Sequence, residues 1–188
     1  AKNLATQVPG CELAAICDVD ENRVKEVAAE LGVPYTYTDF EEMCKNPELD
    51  AIVIVSPSFL HCQQIEIAMN NGKHVFCEKP LAPEADACKR IVEAEMAAGK
   101  QLVQVGFMRR YDEGYKQLKA AVDSGKYGEA LLLHCAHRNP SVPDDWDNSM
   151  AVENSMVHEI DVLRWLLGEV YATAEVRYGK STNNGPKG

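Results

Sequence analysis

Apolar residues along this chain fall into two alternating rhythms. Short runs of β-branched and small apolar side chains, as in buried parallel strands, alternate with longer stretches whose apolar positions recur every three to four residues, as in amphipathic helices. Ala1 to Val8 reads as the tail of a helix, with Leu4 and Val8 on one face and Pro9-Gly10 as its stop. Glu12-Leu13-Ala14-Ala15-Ile16-Cys17 predicts a strand, and Glu21 to Leu31 predicts a helix with Val24, Val27, Ala28 and Leu31 on one side and Gly32 as its stop. Tyr35 to Tyr37 is a short strand, and Asp39 caps a brief helix to Lys45. Asp50 to Val55 is a continuous apolar strand, expected to be central in a sheet and buried on both faces. Ser58 to Asn71 is a helix ending at Gly72, His74-Val75-Phe76-Cys77 the next strand, and a helix opened by Pro83 runs to Ala98. Gly99-Lys100 stops it before a strand over 101 to 107. The whole predicts a doubly wound parallel α/β sheet.

The rhythm then changes. Tyr111 to Ser124 predicts a helix stopped by Gly125, and Leu131 to Ala136 a strand outside the first alternation. Asn139 to Asn148 reads as a loop, and Glu153 to Leu167 as an amphipathic helix with Met156, Val157, Ile160, Leu163, Leu166 and Leu167 apolar and Gly168 as its stop. Tyr171 to Tyr178 predicts a strand running into the turn-rich Ser181-Thr182-Asn183-Asn184-Gly185-Pro186. A helix that is already ending at residue 1 and a strand leading into a connection at the other end make the chain read as a fragment, truncated at both ends. The expected domains are 1–107 and 108–188, the second incomplete.

Charge narrows the partners. With 19 Lys and Arg against 29 Asp and Glu the net charge is -10, and no basic stripe could neutralise a phosphate backbone, so nucleic acid is an unsuitable partner. No apolar run approaches the roughly 18 residues of a membrane span, and no signal segment opens the chain. A soluble, cytoplasmic protein is the expectation. The seven cysteines are an odd number without a C-x-x-C pair and lie mostly in apolar runs, so they read as reduced core thiols.

Candidate chemistry gathers at strand exits. Asp18 ends the first complete strand, where an acidic residue accepts hydrogen bonds from an adenosine ribose about 20 residues after a glycine fingerprint; it could equally be an ordinary strand exit. The fingerprint would then lie just before residue 1. An acid at 18, Asp20 beside it and no Arg at 19 to 22 favour a free 2′-hydroxyl, hence NAD over NADP, with Arg23 within reach of the same loop. Ser56-Pro57-Ser58 follows the central strand at the ligand edge of such a sheet. It is either a cofactor contact or a connection with Ser58 as N-cap. His61, one turn on, points at the cofactor or at solvent. Cys77-Glu78-Lys79-Pro80 places a charged pair directly after a buried strand, with a proline restricting the backbone of Lys79. An ammonium there can orient a substrate oxygen; a surface ion pair is the plainer account.

On the long helix, Asn154, His158, Asp161 and Trp165 recur at i, i+4, i+7 and i+11 on one stripe. His158 is the group there suited to moving a proton near neutrality, though a satisfied helix-face histidine has the same spacing. His134 and His137 face opposite sides of a strand, so no metal site is expected. Asp144-Asp145-Trp146-Asp147 reads as a solvated loop or a hydroxyl-binding one.

Together, Glu78-Lys79-Pro80, Gly106-Phe107-Met108-Arg109-Arg110-Tyr111-Asp112 and His158-Glu159-Ile160-Asp161-Val162-Leu163-Arg164-Trp165-Leu166 resemble the glucose-fructose oxidoreductase and inositol 2-dehydrogenase superfamily (Gfo/Idh/MocA), over essentially all 188 residues. The resemblance implies a Rossmann domain binding NAD through Asp18, Ser56, Pro57, His61, Glu78 and Lys79, followed by an open-sheet α/β domain for substrate and oligomer contacts. It implies oxidation of a secondary hydroxyl of a cyclitol or sugar, with Lys79 touching substrate and nicotinamide ribose and His158 taking the hydroxyl proton. Arg109, Tyr111, Trp146, Asn154 and His158 would line the substrate site, with Asp145 and Asn148 as further loop candidates. A homo-oligomer, dimer or tetramer, is implied too. Family members usually carry an aspartate where this chain has Asn154, and an asparagine can hold a hydroxyl without sharing a proton. The same scaffold hosts sugar lyases and hydrolases that recycle NAD. A nucleotide-binding sensor is the non-enzymatic alternative, one that would need neither Lys79 nor His158.

Overall fold

Parallel strands form where a short apolar run meets a partner and a helix covers it. The computed structural model describes residues 1–142 and 146–177, the side chain of Asn148 excepted. The chain divides into two units, Ala1–Val105 and Gly106–Gly188.

In the first unit the order is α1 (Lys2–Thr6), β1 (Ala15–Cys17), α2 (Glu21–Leu31), β2 (Tyr35–Tyr37), α3 (Phe40–Cys44), β3 (Ala51–Ile54), α4 (Ser58–Asn70), β4 (His74–Cys77), α5 (Ala85–Ala98) and β5 (Val103–Val105). All pairings are parallel: β1 with β2, Ala15 opposite Tyr35, and β3 with β4 and β4 with β5, Ile52 opposite Val75 and Phe76 opposite Gln104. One side of β3 and β4 supplies Ile52, Ile54, Val75 and Cys77 to the core, where Ile65 and Ala68 of α4, Ile91 of α5 and Met43 and Cys44 of α3 meet them. Each large aliphatic chain so buried contributes about 1.5–3 kcal/mol. This layer holds the exits of β3 and β4 in place.

Several expectations are corrected. Among the described strands β3 is an edge of the β3-β4-β5 sheet and not central, with Val53 and Val55 exposed on the face opposite the core. No described strand bonds both β1 and β3, the place that the fingerprint strand occupies in the common doubly wound order. Strand and helix ends are shorter than the apolar runs. The carboxylate of Glu95 accepts the N–H groups of Leu102 and Val103 at 2.7 and 2.8 Å, so β5 starts at Val103 instead of Gln101. α5 starts at Ala85, not Pro83, and Pro57 instead of Ser58 occupies the N-cap of α4. Asp20 and Asp39 cap α2 and α3 as side-chain acceptors. The buried ammonium of Lys73 donates to the carbonyls of Asn46 and Leu49, both at 2.7 Å, fastening the turn before β3.

In the second unit a 3-10 turn (Met108–Tyr111) precedes α6 (Glu113–Asp123), so the predicted helix from Tyr111 starts later; Asp112 caps it by accepting from Tyr115 N–H at 3.1 Å. α7 (Asn148–Met150) passes into a π-helix (Ala151–Met156) and then α8 (Val157–Leu167). The expected single helix from Glu153 is thus two helical types in series. Gly168 closes α8 in the left-handed region, φ 70°, which a side-chain-bearing residue enters only at a cost. Among the described residues of this unit no strand is found. Leu131–Ala136 and residues 171–177 lack regular structure, because a strand is made by its ladder partner and neither stretch has one. The hydroxyl of Tyr171 donates to Ile160 O at 2.9 Å and ties the second stretch to α8. Tyr178, the turn-rich stretch over 181–186, Asp144 and Asp145 lie outside the described residues. No described helix is long and apolar enough to cross a membrane.

Candidate active site

The exits of β3 and β4 share an edge because their strands run parallel, and Glu78 N–H extends the ladder by donating to Ile54 O at 2.9 Å. Beyond that bond the backbone turns through Lys79-Pro80, whose peptide bond is cis. Lys79 N–H donates to Glu78 Oε2 at 3.2 Å, so Glu78 stabilises the turn and is half-buried with it. Beneath, the thiol of Cys77 is fully buried and its ionisation is pushed up to about 12, by burial first and by the neighbouring Glu78 charge second. It stays a neutral packing group.

Past β3, the Ser56 hydroxyl donates to Gln64 Oε1 at 2.5 Å, which turns it toward α4. His61 does not face solvent: it is 1% exposed, with Nδ1 2.7 Å from Pro80 O and Nε2 2.9 Å from Ser56 O. Asp18, at the exit of β1, is exposed; its Oδ1 accepts from Asp20 N–H at 3.0 Å and its own N–H donates to Tyr37 O at 3.3 Å. Three apolar side chains stand out at strand exits, Val19 at 92%, Val55 at 72% and Phe59 at 73% exposure. The sequence reading passed over them. Val55 directly follows the last buried residue of β3, Val19 lies in the loop after β1, and Phe59 in the first turn of α4.

These groups fit a dinucleotide. An exposed carboxylate suits a ribose diol, exposed apolar faces suit planar rings, and a lysine beside the sheet edge suits a polar, electron-rich ligand.

In the second unit, His158 is buried at the first turn of α8, and Asn154 lies half-buried in the π-helix. Glu159, beside His158, is the centre of a polar network that sequence alone did not reveal. Its carboxylate pairs with the Arg109 guanidinium and sits 3.2 Å through each oxygen from His137 Nδ1. His137 Nε2 is 3.0 Å from Asn139 Oδ1, and Asn139 Nδ2 donates to Ser155 Oγ at 3.1 Å. Burial pushes the Glu159 carboxyl up, but hydrogen bonds from Arg109 and His137 outweigh it and hold the group below its usual range. Arg109 also lies over the Tyr115 ring, 5.7 Å from its centroid. Arg109 is thus anchored, whereas Tyr111 is exposed and Trp146 half-buried. Asp145 lies outside the described residues.

Residues 1–107 match a family described as an oxidoreductase family with an NAD-binding Rossmann fold, and residues 115–186 match the GFO/IDH/MocA C-terminal domain. The chain belongs to the Gfo/Idh/MocA oxidoreductase family. Similar curated proteins include the inositol 2-dehydrogenase of Burkholderia cenocepacia (strain HI2424), 45% identical over 184 residues, covering 97% of this chain and 55% of that protein. That of Pseudomonas fluorescens (strain ATCC BAA-477) is 47% identical over 174 residues, 92% of this chain and 52% of that protein. The chain therefore spans about half the length of the relatives it matches. Among solved structures, the myo-inositol dehydrogenase of Lactobacillus casei in complex with NAD(H) and myo-inositol is 33% identical with TM-score 0.87, covering 98% of this chain and 56% of that one. The scyllo-inositol dehydrogenase of the same organism, with NAD(H) and scyllo-inositol, is 30% identical with TM-score 0.72, over 89% of this chain and 52% of that one. The Gfo/Idh/MocA assignment makes the two ladders of the first unit parts of one Rossmann-type α/β fold.

Proposed function

We propose that the full-length protein is an NAD-dependent dehydrogenase oxidising one secondary hydroxyl of a cyclitol or sugar, of the myo-inositol kind, to a ketone. The observation that carries this reading is the Glu78-Lys79-Pro80 turn, which puts a lysine directly past the carboxyl end of β4 in a unit that matches an NAD-binding family. Asp18, Val19, Val55, Phe59, the Ser56-Pro57 loop and the Glu78-Lys79 turn would hold NAD. The charge of Asp18 suits a ribose diol and repels a 2′-phosphate, so NAD is preferred to NADP.

NAD, when bound, supplies the acceptor for the hydride that leaves the carbinol carbon. Lys79 orients the substrate oxygen and stabilises negative charge developing there as its proton departs. A ring nitrogen of His158 receives that proton. Asn154 holds a neighbouring hydroxyl as donor and acceptor and carries no proton away. Arg109, fixed by Glu159, presents its remaining donors to substrate, with Tyr111 and Trp146 contributing contacts. On this reading the full-length protein is a cytoplasmic homo-oligomer. The bare apolar chains of Leu131 and Leu132, 91% and 87% exposed, support an assembled second domain.

The test is a panel of inositols, monosaccharides and glycosides given to the full-length protein with NAD and then NADP, reading reduced nicotinamide and product together. One equivalent of reduced nicotinamide per ketone, faster with NAD, is expected. Product without net reduction would replace the dehydrogenase with a lyase or hydrolase that recycles NAD, the reading Asn154 favours. A panel with no turnover overturns the enzyme assignment.

A further inference from the structure

His61 joins two loops through its ring. Its ring nitrogens lie 2.7 Å from Pro80 O and 2.9 Å from Ser56 O, and these carbonyls belong to the loops that leave β4 and β3 at their shared edge. Backbone carbonyls only accept, so each contact requires an N–H on the ring. A neutral imidazole has one and the doubly protonated ring has two. An aromatic ring has no internal torsion, so a five-membered ring held at both nitrogens is a rigid strut of fixed length.

The other bonds of the turn leave a gap that this strut fills. Glu78 N–H is held by Ile54 O at 2.9 Å, and Lys79 N–H by Glu78 Oε2 at 3.2 Å. Pro80 has no N–H. The Pro80 carbonyl is a further backbone group by which the turn can be fixed, and His61 occupies it. Across the gap the Ser56 hydroxyl is already directed to Gln64 at 2.5 Å, so the Ser56 carbonyl is the handle left for a second anchor.

We infer that His61 is a positioning residue: it braces the Ser56-Pro57 loop against the Lys79-Pro80 turn and thereby sets where the Lys79 ammonium stands, without itself touching cofactor or substrate. The inference rests on the role of Lys79 proposed above. The Lys79 head is carried on its backbone, so a shift of the turn shifts the ammonium, and a misplacement of about 1 Å at a reacting centre costs on the order of 100-fold in rate.

The experiment is a double-mutant cycle in the full-length protein with His61→Asn, His61→Gln and Lys79→Met, alone and paired, measuring kcat, KM for NAD and thermal midpoint. His61→Asn is expected to lower kcat by about 10- to 100-fold while KM for NAD stays within about twofold. His61→Gln, which can reach one carbonyl, recovers part of the loss. Adding either to Lys79→Met brings no further loss, because no ammonium remains to be positioned. Additive losses, or a rise in KM for NAD at unchanged kcat, would overturn the inference, the latter by making His61 a cofactor contact. If both His61 variants fail to fold, the wild-type ring is read by nitrogen-15 NMR: a ring N–H protected from exchange supports the strut, and a ring whose N–H groups exchange freely with solvent overturns it. A Lys79→Met variant with full activity would instead remove the dehydrogenase reading, so the two failures are distinguishable.

Discussion

Arg110 grips Asp161 through a two-point fork, Nε donating to Oδ2 at 2.8 Å and Nη2 to Oδ1 at 2.5 Å. The fork joins the 3-10 turn to the middle of α8, one turn beyond His158. The hydrogen bond that Arg110 donates to Asp161 is the first cause raising the Arg110 pKa, with burial opposing it. Arg110→Lys keeps the charge and loses the planar pair of donors. Because the arginine end is partly exposed, solvent screening limits the loss, and the expected destabilisation is about 1 kcal/mol. Denaturant unfolding of the wild type and the variant measures it. An unchanged midpoint would mean that the pair is solvated and holds nothing.

Glu159 makes the second unit sensitive to acid. In the unfolded chain its carboxyl titrates at the ordinary value of 4.5, and in the folded chain lower, because Arg109 and His137 outweigh burial. The stabilisation is complete above 4.5, declines as pH falls, and is lost once pH passes through the folded value. Glu159→Gln abolishes it. The gap in thermal midpoint between wild type and variant should be steady in neutral solution and close on acidification. A gap that widens in acid would reverse the sign.

Cysteine labelling should split the seven thiols by environment. Burial holds Cys77 and Cys44 in the thiol form, up to about 12 and about 11, whereas Cys11 and Cys135 are exposed. With iodoacetamide at mildly alkaline pH, mass spectrometry should find Cys11 and Cys135 modified first and Cys44 and Cys77 only on unfolding. Early labelling of Cys77 would show that the sheet under the Lys79 turn opens readily.

Cofactor preference offers a fourth measurement. Asp18→Ser removes the charge that opposes a 2′-phosphate and keeps a hydroxyl for the ribose. The ratio of kcat/KM with NAD to that with NADP should fall by about 10- to 100-fold, the range expected for one charged contact. A ratio unaffected by the change would take Asp18 out of the cofactor site.

The order of strands and helices in the first unit was legible because its apolar spacing switches cleanly between two periods. What could not be read is what depends on distant partners. β5 starts late because Glu95 takes two of its N–H groups. The run from Ala51 to Val55 looks buried on both sides, yet burial depends on what covers each face, and Val53 and Val55 are exposed. Leu131–Ala136 has strand composition and no ladder. Counting along α4 brings His61 toward the ligand edge without revealing that carbonyls 5 and 19 residues away converge on its ring. Glu159 was visible only as a charge in an apolar helix, since its meaning comes from Arg109 and His137.

The π-helix at Ala151–Met156 sets where Asn154 stands around the axis relative to His158. Hydrogen bonding from i to i+5 widens the turn, so each residue advances the chain around the axis by less than the 100° of an α-helix. Asp161 and Trp165 keep α-helical phase with His158, whereas four α-helical steps from Asn154 would overshoot a full turn by roughly 40° and the narrower steps of the π-helix reduce that offset. The junction is a phase-shifter: lengthening or shortening it by one residue would swing position 154 around the axis while leaving the histidine in place. On the substrate contact proposed for Asn154, a single-residue insertion or deletion in this segment changes which hydroxyl it meets, without any exchange at position 154.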